Sequence, residues 1–163
     1  MRTIDDEIHE VLERVVAAWN RLDFDALAEL WDADEERPFY LPEESPSALT
    51  SWEALRAYWS GTRRVTRALS MRIWDVQAKT IGDDLAVALW QMHWNADVAG
   101  YERPVGGDNR VTATFRRRDG VWRFIHYVEA PLAPILYVRR HYERDVDPEF
   151  GASVTRSDIN IVS

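Results

Sequence analysis

The chain has no cysteine among its 163 residues. Disulfides, thiolate metal sites and a cysteine nucleophile are therefore excluded. It has no apolar run near the roughly 18 residues that a membrane-spanning helix needs. It also lacks basic excess: 20 Lys and Arg against 28 Asp and Glu give a formal net charge of −8. That is the wrong sign for nucleic acid or for an anionic membrane surface. No phosphate loop, dinucleotide fingerprint or metal-ligand spacing is present, so no cofactor and no metal are expected. The opening MRTIDDEIHEV is acidic and helical in pattern, unlike a secretory leader, which makes the cytoplasm the expected location.

What is present is an ordinary apolar content, 29% charged residues and eight tryptophans. The length suits one globular domain with a proper core. Tryptophan covers large area and stacks on flat ligands.

Thr3 and Asp6 have the spacing of a capping box, and Ile4, Ile8, Val11, Leu12, Val15, Val16 and Trp19 recur at helical spacing. A helix over 4–21 is expected. Asp23 caps a second, short helix carrying Leu27, Leu30 and Trp31. Phe39-Tyr40-Leu41 between Pro38 and Pro42 suits an edge strand. Thr50 and Glu53 predict the start of a third helix, with Trp52, Leu55 and Trp59 on one face. From about residue 68 the period becomes two. Leu69–Thr80, Leu85–Val98, Asn109–Arg118 and Val121–Ala130 read as consecutive strands, with Asp119-Gly120 as a hairpin turn. A phase change between Ile73 and Trp74 predicts a bulge. Ile135–Arg144 reads as a short helix. The expected organisation is one domain over 1–145 and a polar tail over 146–163. The class is α+β: N-terminal helices packed in a strongly curved antiparallel sheet that forms a cone with a pocket.

Pairing outward from Asp119-Gly120 sets Arg118 against Val121, Phe115 against Phe124, Ala113 against His126 and Val111 against Val128. This puts His126 on the core face with Val111, Phe115, Trp122 and Phe124, and leaves Tyr127 and Glu129 opposite. On the preceding strand one face carries Leu85, Val87, Leu89, Gln91, His93, Asn95 and Asp97. It begins apolar and ends polar, as a wall would that starts as core and becomes a pocket. If the two faces join, His93 and His126 converge. The other face, with Trp90, Met92 and Trp94, is then the outer face and needs a partner subunit to cover it.

NRVTATFRRRDGVWRFIHYVEAPLAP and SWEALRAYW, in this order of elements, resemble the nuclear-transport-factor-2-like superfamily and its SnoaL-like group. The first stretch is similar to the closing strands of the calcium/calmodulin-dependent kinase association domain, the second to the third helix of the SnoaL-like group. The resemblance covers residues 3 to 135. It implies a cone-shaped α+β barrel and a homodimer or higher homo-oligomer through the outer sheet face. It also implies chemistry of the kinds found among polyketide cyclases, ketosteroid isomerase and γ-formaldehyde lyases. Many members carry a second histidine where this chain has Val128. Ketosteroid isomerase uses an aspartate base on the first strand. Here that stretch is Phe39-Tyr40, so isomerisation by that dyad is not expected.

The candidate catalytic residues are His93, His126, Tyr40 and Asn95. The histidines are proton carriers near neutral pH, and Tyr40 is a donor to a developing oxyanion. Trp19, Trp31, Tyr58, Trp59, Gln91 and Phe124 are the candidate substrate-binding residues. Glu43 and Glu44 read as loop charges, and Arg116 to Arg118 as a solvated hairpin end. Without a cofactor the substrate must carry its own electron sink, which favours carbonyl and phenolic compounds. The expected function is a cofactor-independent acid/base lyase or dehydratase acting on an aromatic or phenolic small molecule, with retro-aldol loss of formaldehyde as one form. A non-catalytic ligand-binding or oligomerisation module is the alternative, as is a cyclase or isomerase.

Overall fold

The computed structural model describes residues 2–132, 142 and 144–153. Local signals set the helices. The Thr3 hydroxyl accepts from the Asp6 N–H at 3.2 Å, and the Asp6 carboxylate accepts from the Thr3 N–H at 2.9 Å, opening α1 (Ile4–Asn20). Such a cap is worth about 1 kcal/mol. Ile8, Val11, Leu12, Val15 and Trp19 make its buried face. The helix stops where Leu22 takes a left-handed φ of 53°. The Asp23 N–H then reaches back to the Ala18 carbonyl at 2.9 Å, satisfying an orphan acceptor. Asp23 at once caps α2 (Phe24–Glu29) through the Ala26 N–H. The third helix, α3 (Trp52–Val65), is capped by Ser51 and not by Thr50: the Ser51 hydroxyl accepts from the Ala54 N–H.

Five strands, the first of them before α3, form one open sheet of order β1-β5-β4-β3-β2. They are β1 (Phe39–Leu41), β2 (Thr66–Ile81), β3 (Leu85–Val98), β4 (Val105–Arg118) and β5 (Val121–Pro131). All neighbours are antiparallel except β1, which runs parallel to β5. The architecture is the expected α+β one, with α1 lying against β2 and β5. The break in β2 falls between Trp74 and Gln77, just beyond the expected place, with Asp75 at φ 54°.

Asp119 and Gly120 both have positive φ, 52° and 78°, the backbone of a tight two-residue hairpin. Arg118 faces Val121 and Phe115 faces Phe124, as the sequence predicts. The register then slips by one. Thr114 faces His126, Ala113 faces Tyr127 and Val111 faces Glu129, so Ile125 is an extra residue on β5. The expected pairs Ala113–His126 and Val111–Val128 do not form. Because side chains alternate with period two, one inserted residue exchanges the two faces beyond it.

The core contains Val111, Phe115, Trp122 and Phe124, each at most 4% exposed. It also contains Trp90 and Met92, at 3% and 2%. The expectation that Trp90, Met92 and Trp94 form the outer face is therefore corrected: they point inward. Both faces of β3 begin apolar, so its pattern alone does not fix parity. The large rings take the inside because the helices leave room there: Trp90 packs on Tyr127 with centroids 5.5 Å apart. Leu89, 58% exposed, lies on the other, outer face with Gln91, His93 and Asn95.

After α2 the chain is stitched to β5 through Asp32 N–H to Phe124 C=O and Phe124 N–H to Leu30 C=O, both 2.9 Å. The buried Asp32 carboxylate takes Arg118 at 2.9 Å and Arg116 at 3.2 Å. Burial alone would raise its pKa. The bonds from Arg118, the Asp34 N–H and Arg116 hold it below the usual carboxylate range. Arg116 and Arg118, expected as part of a solvated hairpin end, thus pair with Asp32, and Arg117 donates to the Asp83 carbonyl at 2.8 Å and lies over the Trp122 ring.

The chain divides into compact units, Met1–Leu132 and Ala133–Ser163. The second holds a short helix, Pro148–Ser153. The helix expected over 135–144 lies outside the described residues, except for Tyr142 and Arg144, which are helical. Among the described residues no helix is long and apolar enough to cross a membrane.

Two substitutions test this packing. Phe115 is fully buried and stacks on Phe124 with centroids 4.5 Å apart. Phe115→Ala should cost about 3–5 kcal/mol, read from denaturant midpoints. A Cβ at Gly106 would lie 2.7 Å from the Trp94 carbonyl oxygen. Gly106→Ala should therefore destabilise the fold and disturb Trp94 fluorescence.

Candidate functional site

A cavity of about 500 Å³ opens between α1, α3 and the inner face of the sheet. Met71 on β2 and Met92, Trp94 and Ala96 on β3 form one wall. Tyr40 on β1, Glu129 on β5 and the Glu43-Glu44 loop form the polar wall, and Tyr58 and Thr62 of α3 close the top. Val65 and Tyr101, 45% and 59% exposed, sit at its rim.

The register slip at Ile125 builds the polar wall. It turns Tyr127 and Glu129 inward and His126 and Val128 outward. β1 then lies parallel on this part of β5, with Tyr40 opposite Tyr127. The Tyr40 backbone is clamped to Leu49 by bonds of 2.9 and 2.7 Å. Its hydroxyl donates to Glu129 Oε1 at 3.2 Å. The Glu43 N–H and Asn109 Nδ2 each lie 3.4 Å from Glu129 Oε2. Tyr58 donates to Glu44 at 2.7 Å.

Glu129 keeps some surface toward the cavity, but protein surrounds its carboxyl on nearly every side. Burial pushes its pKa up to about 8, and the Glu44 and Glu43 carboxylates add to the rise. The Glu43 N–H and the Tyr40 hydroxyl favour the ionised form and offset only part of it. At neutral pH Glu129 is thus mainly a neutral acid. Burial, then Glu129, hold Tyr40 well above its usual range, so it stays a phenol donor. Burial also raises Glu43, bonds from Asn109 and Trp94 opposing it and Glu44 adding to it. The Oδ1 of Asn109, a fully buried residue, has no partner. A protonated Glu129 could donate to that oxygen after an amide flip.

Of the residues singled out by sequence, Tyr40, Trp19 and Tyr58 line this cavity. Trp31, Trp59 and Phe124 are core: the Trp31 ring lies 6.2 Å from Trp59 and 5.6 Å from Phe124. Gln91, His93, Asn95 and His126 lie on the outer face, and the histidines do not converge in the pocket. His93 Nδ1 is 2.6 Å from Asp108 and its Nε2 3.2 Å from Asn95. His126 sits edge-on to Phe39 at 6.1 Å, and burial lowers its pKa. The sequence reading missed Glu129, Glu43, Glu44, Asn109, Met92 and Trp94. Strict alternation across Ile125 hid Glu129. The one available signal for Glu43 and Glu44 was their place directly after the Tyr40 strand. Among the described residues no group of three or more His, Asp or Glu is arranged to hold a metal ion.

A protein-family model described as a SnoaL-like domain matches residues 8–134. No curated protein sequence matches the chain. Solved structures share the fold at low identity. A nuclear-transport-factor-2-like superfamily protein from Salmonella enterica serovar Typhimurium is 16% identical. Its TM-score is 0.68, over 80% of this chain and 92% of that one. A protein from Novosphingobium aromaticivorans, provisionally named scytalone dehydratase, is 12% identical with a TM-score of 0.70, over 78% and 83%. A hexachlorocyclohexane dehydrochlorinase, LinA type 2, is 14% identical with a TM-score of 0.64, over 78% and 87%. The family match spans most of the chain and the fold agrees with it throughout the first unit, so this chain belongs to the SnoaL-like family.

Proposed function

We propose that the chain is a cofactor-free acid/base enzyme of the lyase or dehydratase type, with Glu129 as its general acid. The observation that carries this is an enclosed carboxyl, bonded by Tyr40, in the wall of a solvent-accessible cavity, where burial pushes its pKa up to about 8. A group whose pKa lies near the working pH exchanges protons most effectively. The neighbouring structures named as a dehydratase and a dehydrochlorinase support an elimination, although they share the fold only.

In the proposed dehydration Glu129 gives its proton to the departing hydroxyl, which leaves as water. Glu43 takes the proton from the adjacent carbon, and that electron pair forms the new double bond. The Tyr40 hydroxyl and the Glu43 N–H then stabilise the Glu129 carboxylate. Solvent at the cavity mouth returns Glu129 and Glu43 to their starting states. The substrate is an aromatic or phenolic compound whose carbonyl or ring delocalises the developing charge. Trp94, Met92 and Trp19 offer it a flat apolar wall.

The experiment is turnover of aryl β-hydroxy carbonyl compounds, followed by absorbance of the conjugated product. Glu129→Gln should lower kcat by at least about a hundredfold with folding intact. His93→Gln and His126→Gln should turn over normally. Equal turnover by Glu129→Gln and the parent would overturn the assignment.

The pH response has a definite sign. Activity should fall as pH rises through about 8, where Glu129 loses its proton. Tyr40→Phe removes a bond that favours the carboxylate, so it should move this limb to higher pH. Glu129 also links stability to pH. Its folded pKa is raised above the 4.5 of the free group, so its stabilising contribution is complete below about 4.5 and lost as pH rises through about 8. Melting curves of the parent should therefore fall over that window relative to those of Glu129→Gln.

A further inference from the structure

We propose that this cavity selects a positively charged ligand: a protonated amine on a flat apolar body, its ammonium held by Glu44 at the mouth. The inference rests on the preceding reading only for the location of the site.

Three observations carry it. The first is sign. The ionisable side chains lining the cavity, apart from its tyrosines, are the carboxyls of Glu43, Glu44 and Glu129. Glu129 is mainly neutral at pH 7, the exposed Glu44 supplies negative charge at the mouth, and no Lys, Arg or His lines the cavity among the described residues. A carboxylate or phosphate ligand would meet like charge with no cation to offset it. The second is hydrogen-bond capacity. Tyr40 donates to Glu129, Tyr58 to Glu44, and Thr62 to the Tyr58 carbonyl. These hydroxyl donors are engaged within the protein, two of them on the carboxyls of Glu129 and Glu44 themselves. At the mouth Glu44 therefore offers a carboxylate acceptor, which suits a donor-rich ligand. The third is the wall itself. Trp19, Tyr58, Trp94 and Tyr101 surround the cavity. Aromatic faces attract a cation through their quadrupole, most strongly where water is excluded.

Glu44 is the natural seat. It is exposed at the opening, and Tyr58 fixes one of its oxygens at 2.7 Å, leaving the other free to accept. An ammonium there would sit beside the Tyr58 ring and direct the apolar body toward Met92 and Glu129. The charge thus orients the substrate, while Glu129 remains the group that moves a proton.

The test compares three probes of one shape: 1-naphthylmethylamine, 1-naphthalenemethanol and 1-naphthoate. Binding to the full chain at pH 7 is followed by calorimetry, so it does not depend on turnover. The amine should bind at least about tenfold more tightly than the alcohol, and the carboxylate weakest. Glu44→Gln should remove most of the amine's advantage and leave alcohol binding unchanged. Amine binding equal to or weaker than the alcohol's overturns the proposal. So does a full amine advantage in Glu44→Gln, or no saturable binding of the amine up to about 1 mM. The proton-transfer reading stands or falls separately, on turnover by Glu129→Gln.

Discussion

One extra residue in β5 governs the inside of this molecule. Before Ile125 the strand sends Trp122 and Phe124 into the core; after it, Tyr127 and Glu129 take that face. Without the slip His126 and Val128 would point inward and the glutamate would lie in water. The inserted residue interrupts the hydrogen-bond ladder, and the interior compensates. Tyr127 packs on Tyr40 and Phe124 at 5.4 Å and on Trp90 at 5.5 Å. Each such ring pair adds about 0.5–1.5 kcal/mol beyond its buried area. The aromatic cluster thus holds the bulge in place, and the bulge holds the carboxyl.

A buried carboxyl is tolerated because it need not be charged. Burying an isolated carboxylate is far costlier than burying a hydrogen-bonded neutral acid. Glu129 sits between these limits, with a donor on each oxygen and two further carboxylates nearby. The same burial that strains the ionised form brings its pKa into the range useful for proton transfer. β1 is only three residues long, yet it orients Tyr40 and launches the loop carrying Glu43 and Glu44. Much of the cavity's polar chemistry therefore depends on one short parallel strand clamped to Leu49.

The SnoaL-like fold itself does not choose among reactions, since one scaffold hosts many. A curved sheet packed against helices provides a largely apolar cavity with an open mouth, and the inward residues of β1, β3 and β5 decide its chemistry. In this chain those residues are acidic and aromatic. The outer face holds both sheet histidines and an exposed leucine, a surface of different chemistry.

The sequence by itself determined the elements and their order. Caps at Thr3 and Asp23, the helical spacing from Ile4 to Trp19 and the Asp119-Gly120 turn are local signals, and local physics suffices to read them. Periodicity fixed which residues share a face within a short stretch, so Phe115, Trp122 and Phe124 were legible as core. Only tertiary structure decided which face was inside on β3. Leu85, Val87 and Leu89 compete there with Trp90, Met92 and Trp94, and the volume beneath the helices settles the contest. It also decided the fate of His126 and Glu129. Ile125 is an ordinary β-branched residue, and nothing in its identity announces a bulge. Its extra place on the strand is set by how Tyr127 packs against residues far away in the chain.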